Sequence, residues 1–132
     1  MALNRTDQLR AYIEAAQEAP VRWGIDDCCR WPFAWAETLG HSATLPAYAS
    51  EDEARAMIAA AGDLDALVSP MMAAAGLVET GVPGLGDIGL IRMSWGMSGC
   101  IFLPGNNVVI RAEKGVGALW VRQHLVVRAW QC

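Results

Sequence analysis

Cys28 is the residue of this sequence with the best setting for covalent chemistry. It follows the acidic pair Asp26-Asp27 and opens the run Cys28-Cys29-Arg30-Trp31-Pro32-Phe33-Ala34-Trp35-Ala36-Glu37-Thr38-Leu39-Gly40. That run reads as a helix with an aspartate cap in front and a glycine stop behind. A thiol at a helix N-terminus meets unpaired N–H groups and the positive end of the helix dipole, and both favour the nucleophilic thiolate. The structural alternative is a small side chain packed in the core. Cys29 is the weaker candidate, because helical geometry turns it about 100° away from Cys28. Pro32 cannot donate to the Cys28 carbonyl, so the first turn is expected to be distorted or to start late.

A cysteine nucleophile needs a base, normally histidine, and a polar group that orients it. Two histidines are present. His41 lies past the far end of the same helix, about 20 Å from Cys28 at a rise of about 1.5 Å per residue, which makes it a poor partner. His124, beside Gln123 in the second half, is the candidate base; its other reading is a surface or turn residue. Gly84-Leu85-Gly86-Asp87 lacks the Lys-Ser/Thr of a phosphate loop and precedes a strand, so phosphate binding is not expected. Glu51-Asp52-Glu53 reads as a solvated helix start, not a metal site. Cys28, Cys29, Cys100 and Cys132 match no zinc or disulfide spacing, so free thiols are expected, with no metal and no cofactor.

The elements that must position Cys28 follow from periodicity. Leu9, Tyr12, Ile13 and Ala16 recur at helical spacing between Thr6 and Glu18, with Thr6 as the expected cap and Pro20 as the block. In the second helix Trp31, Trp35 and Leu39 line one face, which reads as core. Ser50-Glu51-Asp52-Glu53 fits a capping box for a third helix to Ala61, before Gly62. Asp63–Val68 continues helically, and Ser69-Pro70 looks like a fresh cap opening a helix from Met71 to Ala75. After the breaker-rich Gly81–Asp87 the pattern turns to strands: Ile88–Met93, Cys100–Leu103, Val108–Ala112, Leu119–Val121 and Val126–Trp130, with a hairpin turn at Pro104-Gly105-Asn106-Asn107. The expected fold class is α+β, N-terminal helices packed on a C-terminal antiparallel sheet of about five strands.

The 132 residues fit one domain, 1–132, and 54% hydrophobic content argues for a packed core over disorder. Net charge is −4, with eleven acids against five bases in residues 1–66 and three against five in residues 67–132. No nucleic-acid partner is expected from that balance. No apolar run reaches the roughly 18 residues of a membrane span. The segment Met1–Asp7 has no basic stretch followed by an apolar core, so no secretory leader is expected there. These features read as a small, soluble, intracellular-type domain.

Trp23-Gly24-x-x-Asp27-Cys28, then a helix, then Gly86-Asp87-Ile88-Gly89-Leu90-Ile91 and Gly99-Cys100-Ile101-Phe102-Leu103 resembles the NlpC-type cell-wall cysteine peptidases, whose fold is papain-like. Within that superfamily the chain is most similar to a phage- and prophage-borne domain of uncharacterised function. That domain shares the Trp-Gly…Asp-Cys-Cys start, a Tyr near Tyr48 and an ending like Arg128-Ala129-Trp130. The resemblance implies Cys28 as the nucleophile. It also implies a His two residues before Gly99, where this chain has Met97, which cannot accept the thiol proton. Asn106 or Asn107 could orient a base, but none stands there. Either His124 substitutes, or the scaffold persists as a pseudoenzyme. The implied function is a virion component of a phage tail or baseplate, assembled in the bacterial cytoplasm and contacting other tail proteins. The alternative is an active peptidoglycan endopeptidase using Cys28 and His124.

Overall fold

The computed structural model describes residues 4–132; the expectation about a leader falls partly on residues 1–3, which lie outside them. Four helices precede five strands: α1 (Arg5–Ala16), α2 (Trp31–Thr38), α3 (Glu51–Ala61), α4 (Leu64–Ala74), β1 (Ile88–Met93), β2 (Gly96–Leu103), β3 (Asn107–Arg111), β4 (Val116–Trp120) and β5 (Val126–Trp130). A short 3-10 turn, Gln123–Leu125, leads into β5. The strands form one antiparallel sheet in the order β4-β3-β2-β1-β5. The chain is therefore α+β, as its patterning predicts.

Side chains alternate across the sheet because successive residues of a strand point to opposite faces. Ile88, Leu90, Ile101, Val109 and Trp130 join Trp31, Phe33, Trp35, Val68 and Met72 in the main core. Ile91, Cys100, Phe102, Val108, Val121 and Ala129 make a smaller cluster on the other face. α2 is the central helix, with Phe33 and Trp35 at 0% and 1% exposure. Tyr12 of α1 stacks on Trp31 and donates its hydroxyl to the Trp31 carbonyl at 2.6 Å. Trp35 Nε1 donates to the Gly86 carbonyl at 2.8 Å, which fixes the helix against the entry to β1.

Several boundaries differ from the sequence expectation. Asn4, in extended conformation, caps α1 by accepting from the Asp7 N–H at 2.8 Å, so Thr6 lies inside the first turn. α2 starts late, at Trp31, with Pro32 in its first turn, where a missing N–H costs nothing. Ser50 caps α3, accepting from the Glu53 N–H at 3.1 Å, while Glu53 reaches back to the Ala49 N–H at 2.7 Å. β2 begins at Gly96 instead of Cys100, because its pairing with β1 runs to the hairpin end, Met93 opposite Gly96.

The larger correction concerns Ser69-Pro70. One helix, α4, runs through both, capped by Asp63 Oδ1 on the Ala66 N–H at 2.7 Å. Leu64, Val68 and Met72 recur at four-residue spacing and are all buried, so continuity of that stripe outweighs the hydrogen bond Pro70 cannot make. Ser69 donates its hydroxyl to Asp65 within the helix, and Asp65 in turn accepts from Arg128 at 2.6 Å. α3 and α4 meet at 83°, and among the described residues no single helix is long and apolar enough to cross a membrane.

Asp63→Ala is expected to lower unfolding free energy by about 1 kcal/mol through loss of the cap, measured by denaturant titration. A larger loss from Ser69→Ala than from Asp63→Ala would instead mean that a separate helix starts at Ser69.

Candidate functional site

The site is organised by Asp27, which is 0% exposed. Its Oδ1 accepts from the backbone N–H groups of Cys29 and Arg30 at 3.0 and 3.1 Å, and its Oδ2 from that of Gly24 at 2.8 Å. The Tyr48 hydroxyl donates to the same carboxylate, 2.7 and 2.8 Å from its two oxygens. All four donors are neutral. They close a tight turn on Asp27, and the Trp31 N–H continues it onto the Asp27 carbonyl at 2.8 Å. Cys28 thus sits in a turn ahead of α2, not in the helix itself. Burial first, and then the bond to Asp27, pushes the Tyr48 phenol well above its ordinary range, so it remains a donor at any ordinary pH.

Two glycines allow the backbone approaches. Gly24 has φ +86°, and a Cβ there would stand 1.9 Å from the Tyr48 carbonyl oxygen. Gly99 of β2 lies directly beneath the turn, where a Cβ would stand 3.0 Å from both the Cys28 carbonyl oxygen and Pro32 Cγ. The Arg30 guanidinium lies 4.9 Å over the Tyr48 ring and donates to the Pro46 carbonyl, which holds the coil before α3 against the turn. Asp26 acts elsewhere. Its Oδ2 accepts from Arg22 Nε and Nη2 at 3.2 and 3.0 Å and lies 3.8 Å from the buried Arg111 of β3.

Cys28 opens onto a cleft of about 740 Å³ between the α3–α4 corner and the β1–β2 hairpin, whose wall includes Trp23, Cys29, Arg55, Arg92, Trp95 and Met97. Arg92 and Met97 are cross-strand partners on the helix-facing side, and Trp95 at the hairpin tip is 62% exposed. The neighbouring Cys29 side chain holds the Cys28 thiol below its ordinary range, outweighing burial and the Asp27 charge, which act upward. The Cys28 neighbour, followed by burial, pushes the Cys29 thiol far up. Burial raises Cys100, and burial with Asp87 pushes Cys132 up to about 11. All four cysteines are free.

The two candidate site residues are not brought together. His124 stands exposed in the 3-10 turn and is absent from the cleft wall, and so is His41 beyond α2. Met97 does lie in the cleft with Cys28, two residues before Gly99. A second cavity, of about 410 Å³, includes Gln123 but not His124 and lies against Phe102 and Val121 of the smaller cluster. Among the described residues no group of three or more His, Cys, Asp or Glu side chains converges as a metal site. Asn106, with φ +61°, and Asn107 serve the β2–β3 turn, where Asn107 Nδ2 donates to the Pro104 carbonyl at 3.0 Å. Gly86-Asp87 is likewise structural: Asp87 Oδ2 accepts from the Gly84 N–H at 2.8 Å and its Oδ1 from the Cys132 N–H at 3.1 Å.

Sequence reasoning did not find Arg92, Trp95 or the Asp26–Arg111 pair. A tryptophan in the short connection between two predicted strands was the available signal for Trp95 and its neighbour Arg92; the ion pair spans too much chain to be read.

A family described as Domain of unknown function (DUF6950) matches residues 2–132. The chain belongs to this family. No curated protein and no solved structure matches the DUF6950 chain. Its Trp23-Gly24 and Asp27-Cys28 are therefore explained by their contacts: the glycine admits the Tyr48 backbone, and the aspartate builds the turn that presents the thiol.

Tyr48→Phe in the DUF6950 domain removes one donor from a buried carboxylate and is expected to cost about 1.5–3 kcal/mol in unfolding free energy. An unchanged denaturation midpoint would mean that Asp27 does not depend on Tyr48.

Proposed function

We propose that this domain is a papain-like, NlpC-type scaffold that has lost amide hydrolysis and serves as a structural or accessory component of a phage tail or baseplate. The observation that carries the loss of hydrolysis is Met97: it shares the cleft with Cys28 at the position where a peptidase of that type would carry its histidine. A thioether has no titratable nitrogen and can neither take the thiol proton nor return it to a leaving amine. The tail assignment comes from the sequence resemblance, and the exposed Trp95, which lines the same cleft as Trp23, suits a binding surface.

The lowered pKa of Cys28 favours a second reading, an active cysteine hydrolase acting on peptidoglycan peptides. There Cys28 would attack the amide carbonyl, and His124 would have to approach as base from outside the cleft.

Release of free amine from peptidoglycan stem peptides separates the two. The wild-type domain is expected to show no turnover above background. Met97→His is expected to introduce turnover that Cys28→Ala abolishes, since a positioned general base contributes about 10²–10⁴-fold. Wild-type turnover lost in Cys28→Ala would contradict the proposal, and its additional loss in His124→Ala would establish the second reading. In particles that carry the protein, Cys28→Ser should leave assembly and infectivity intact.

A further inference from the structure

A lost hydrolase accounts for one sulfur in the cleft and leaves Cys29 without a role. Cys28 and Cys29 both reach the cleft wall, although helical geometry would have turned them apart. Both lie in the turn before α2, because Pro32 has no N–H to offer the Cys28 carbonyl and the helix starts late. Cys28 is the more exposed of the two and Cys29 the buried one, which sets the first as the sulfur a reagent meets and the second as its neighbour. Arg55 stands on the same cleft wall as the pair. Cys100 is fully buried and belongs to the cluster on the other face of the sheet, away from this cleft.

We propose that Cys28 and Cys29 form a reversible, hydroperoxide-reactive pair in which Cys28 is oxidised and Cys29 resolves it. The Cys28 thiolate attacks one oxygen of a hydroperoxide; the O–O bond breaks, and the remaining oxygen leaves with a proton as water or alcohol. Cys28, oxidised by two electrons, carries a sulfenic acid. The Cys29 sulfur then attacks the Cys28 sulfur, the S–S bond forms and the S–O bond breaks. The leaving hydroxide departs as water with the Cys29 proton. Two thiols and one hydroperoxide thus become one disulfide, water, and the water or alcohol of the first step.

The bond between neighbours is suited to a switch rather than a staple. The Cys28–Cys29 peptide is trans, as are all described peptides. Adjacent Cα atoms across such a bond are about 3.8 Å apart, below the roughly 4.4–6.8 Å that a disulfide prefers. Strain of this kind raises the reduction potential and makes the bond readily reversible. Closing it withdraws the Cys28 thiolate from the cleft and shields it from sulfinic acid formation.

The test is brief exposure of the native protein to one equivalent of hydrogen peroxide, an alkylation quench, and peptide mapping by mass spectrometry. The expected result is loss of two hydrogens in the peptide carrying Cys28-Cys29, reversed by dithiothreitol, with Cys100 and Cys132 unoxidised. In Cys29→Ala, Cys28 should instead gain one and then two oxygens. Oxygen gain at Cys28 in the wild-type protein without hydrogen loss would overturn the proposal, as would oxidation of Cys132 ahead of the pair. The wild-type result decides even if Cys29→Ala fails to fold. Peroxide oxidation and amide turnover are read separately, so failure here leaves the hydrolase question where it stood.

Discussion

A buried carboxylate held by neutral donors is the constraint on which the rest of this structure depends. Removing Asp27 from water without a partner would cost several kcal/mol, and no stable fold of this size could absorb many such costs. Three backbone N–H groups and the Tyr48 hydroxyl meet it instead, and bonds to an ionised acceptor are roughly twice as strong as neutral ones. The same four bonds join the Trp23-Gly24 turn, the Cys28–Arg30 turn and the coil before α3. Cys28 is where it is because these segments converge on one side chain.

The sheet supplies the opposite wall. β2 runs under the turn because Gly99 has no side chain to collide with the Cys28 carbonyl or with Pro32. Two residues along, on the same face, strand alternation brings Met97 into the cleft, and antiparallel pairing sets Arg92 beside it. The Cys28 thiol therefore shares the cleft with a thioether, two guanidinium groups and two indoles, with no imidazole on its wall.

Local chemistry was legible in the sequence where it acts over a few residues. The Ser50 capping box, the β-rich runs of β1 and β5 after a breaker-rich connector, and the conflict between Pro32 and a helix starting at Cys28 all follow from neighbouring residues. The misreading of Ser69-Pro70 shows where local rules lose: a tertiary demand, the buried Leu64–Val68–Met72 stripe, overrode a locally favoured cap. At the site, Asp27 could be read as a cap but not as the acceptor for Tyr48, because nothing in a sequence reports that a coil folds back across 21 positions. Cys29 remains the weaker nucleophile, being buried, but the separation of about 100° expected of a helix does not keep it from the cleft wall that Cys28 lines. The pairing of Asp26 with Arg111 lies still further from local reasoning.

Whether the Asp27 turn presents an activated thiol is decided most directly by the pH dependence of alkylation at each cysteine of the native protein, mapped by mass spectrometry with Cys28→Ala as control. Alkylation rises with pH as each thiol loses its proton, so a lowered pKa moves the rise to lower pH. Cys28 is predicted to react first, with an inflection below 9.0, while Cys132 follows near 11 and Cys29 and Cys100 react later still. A Cys28 inflection at or above the ordinary thiol value, or faster reaction at Cys132, would contradict an activated thiol on that turn.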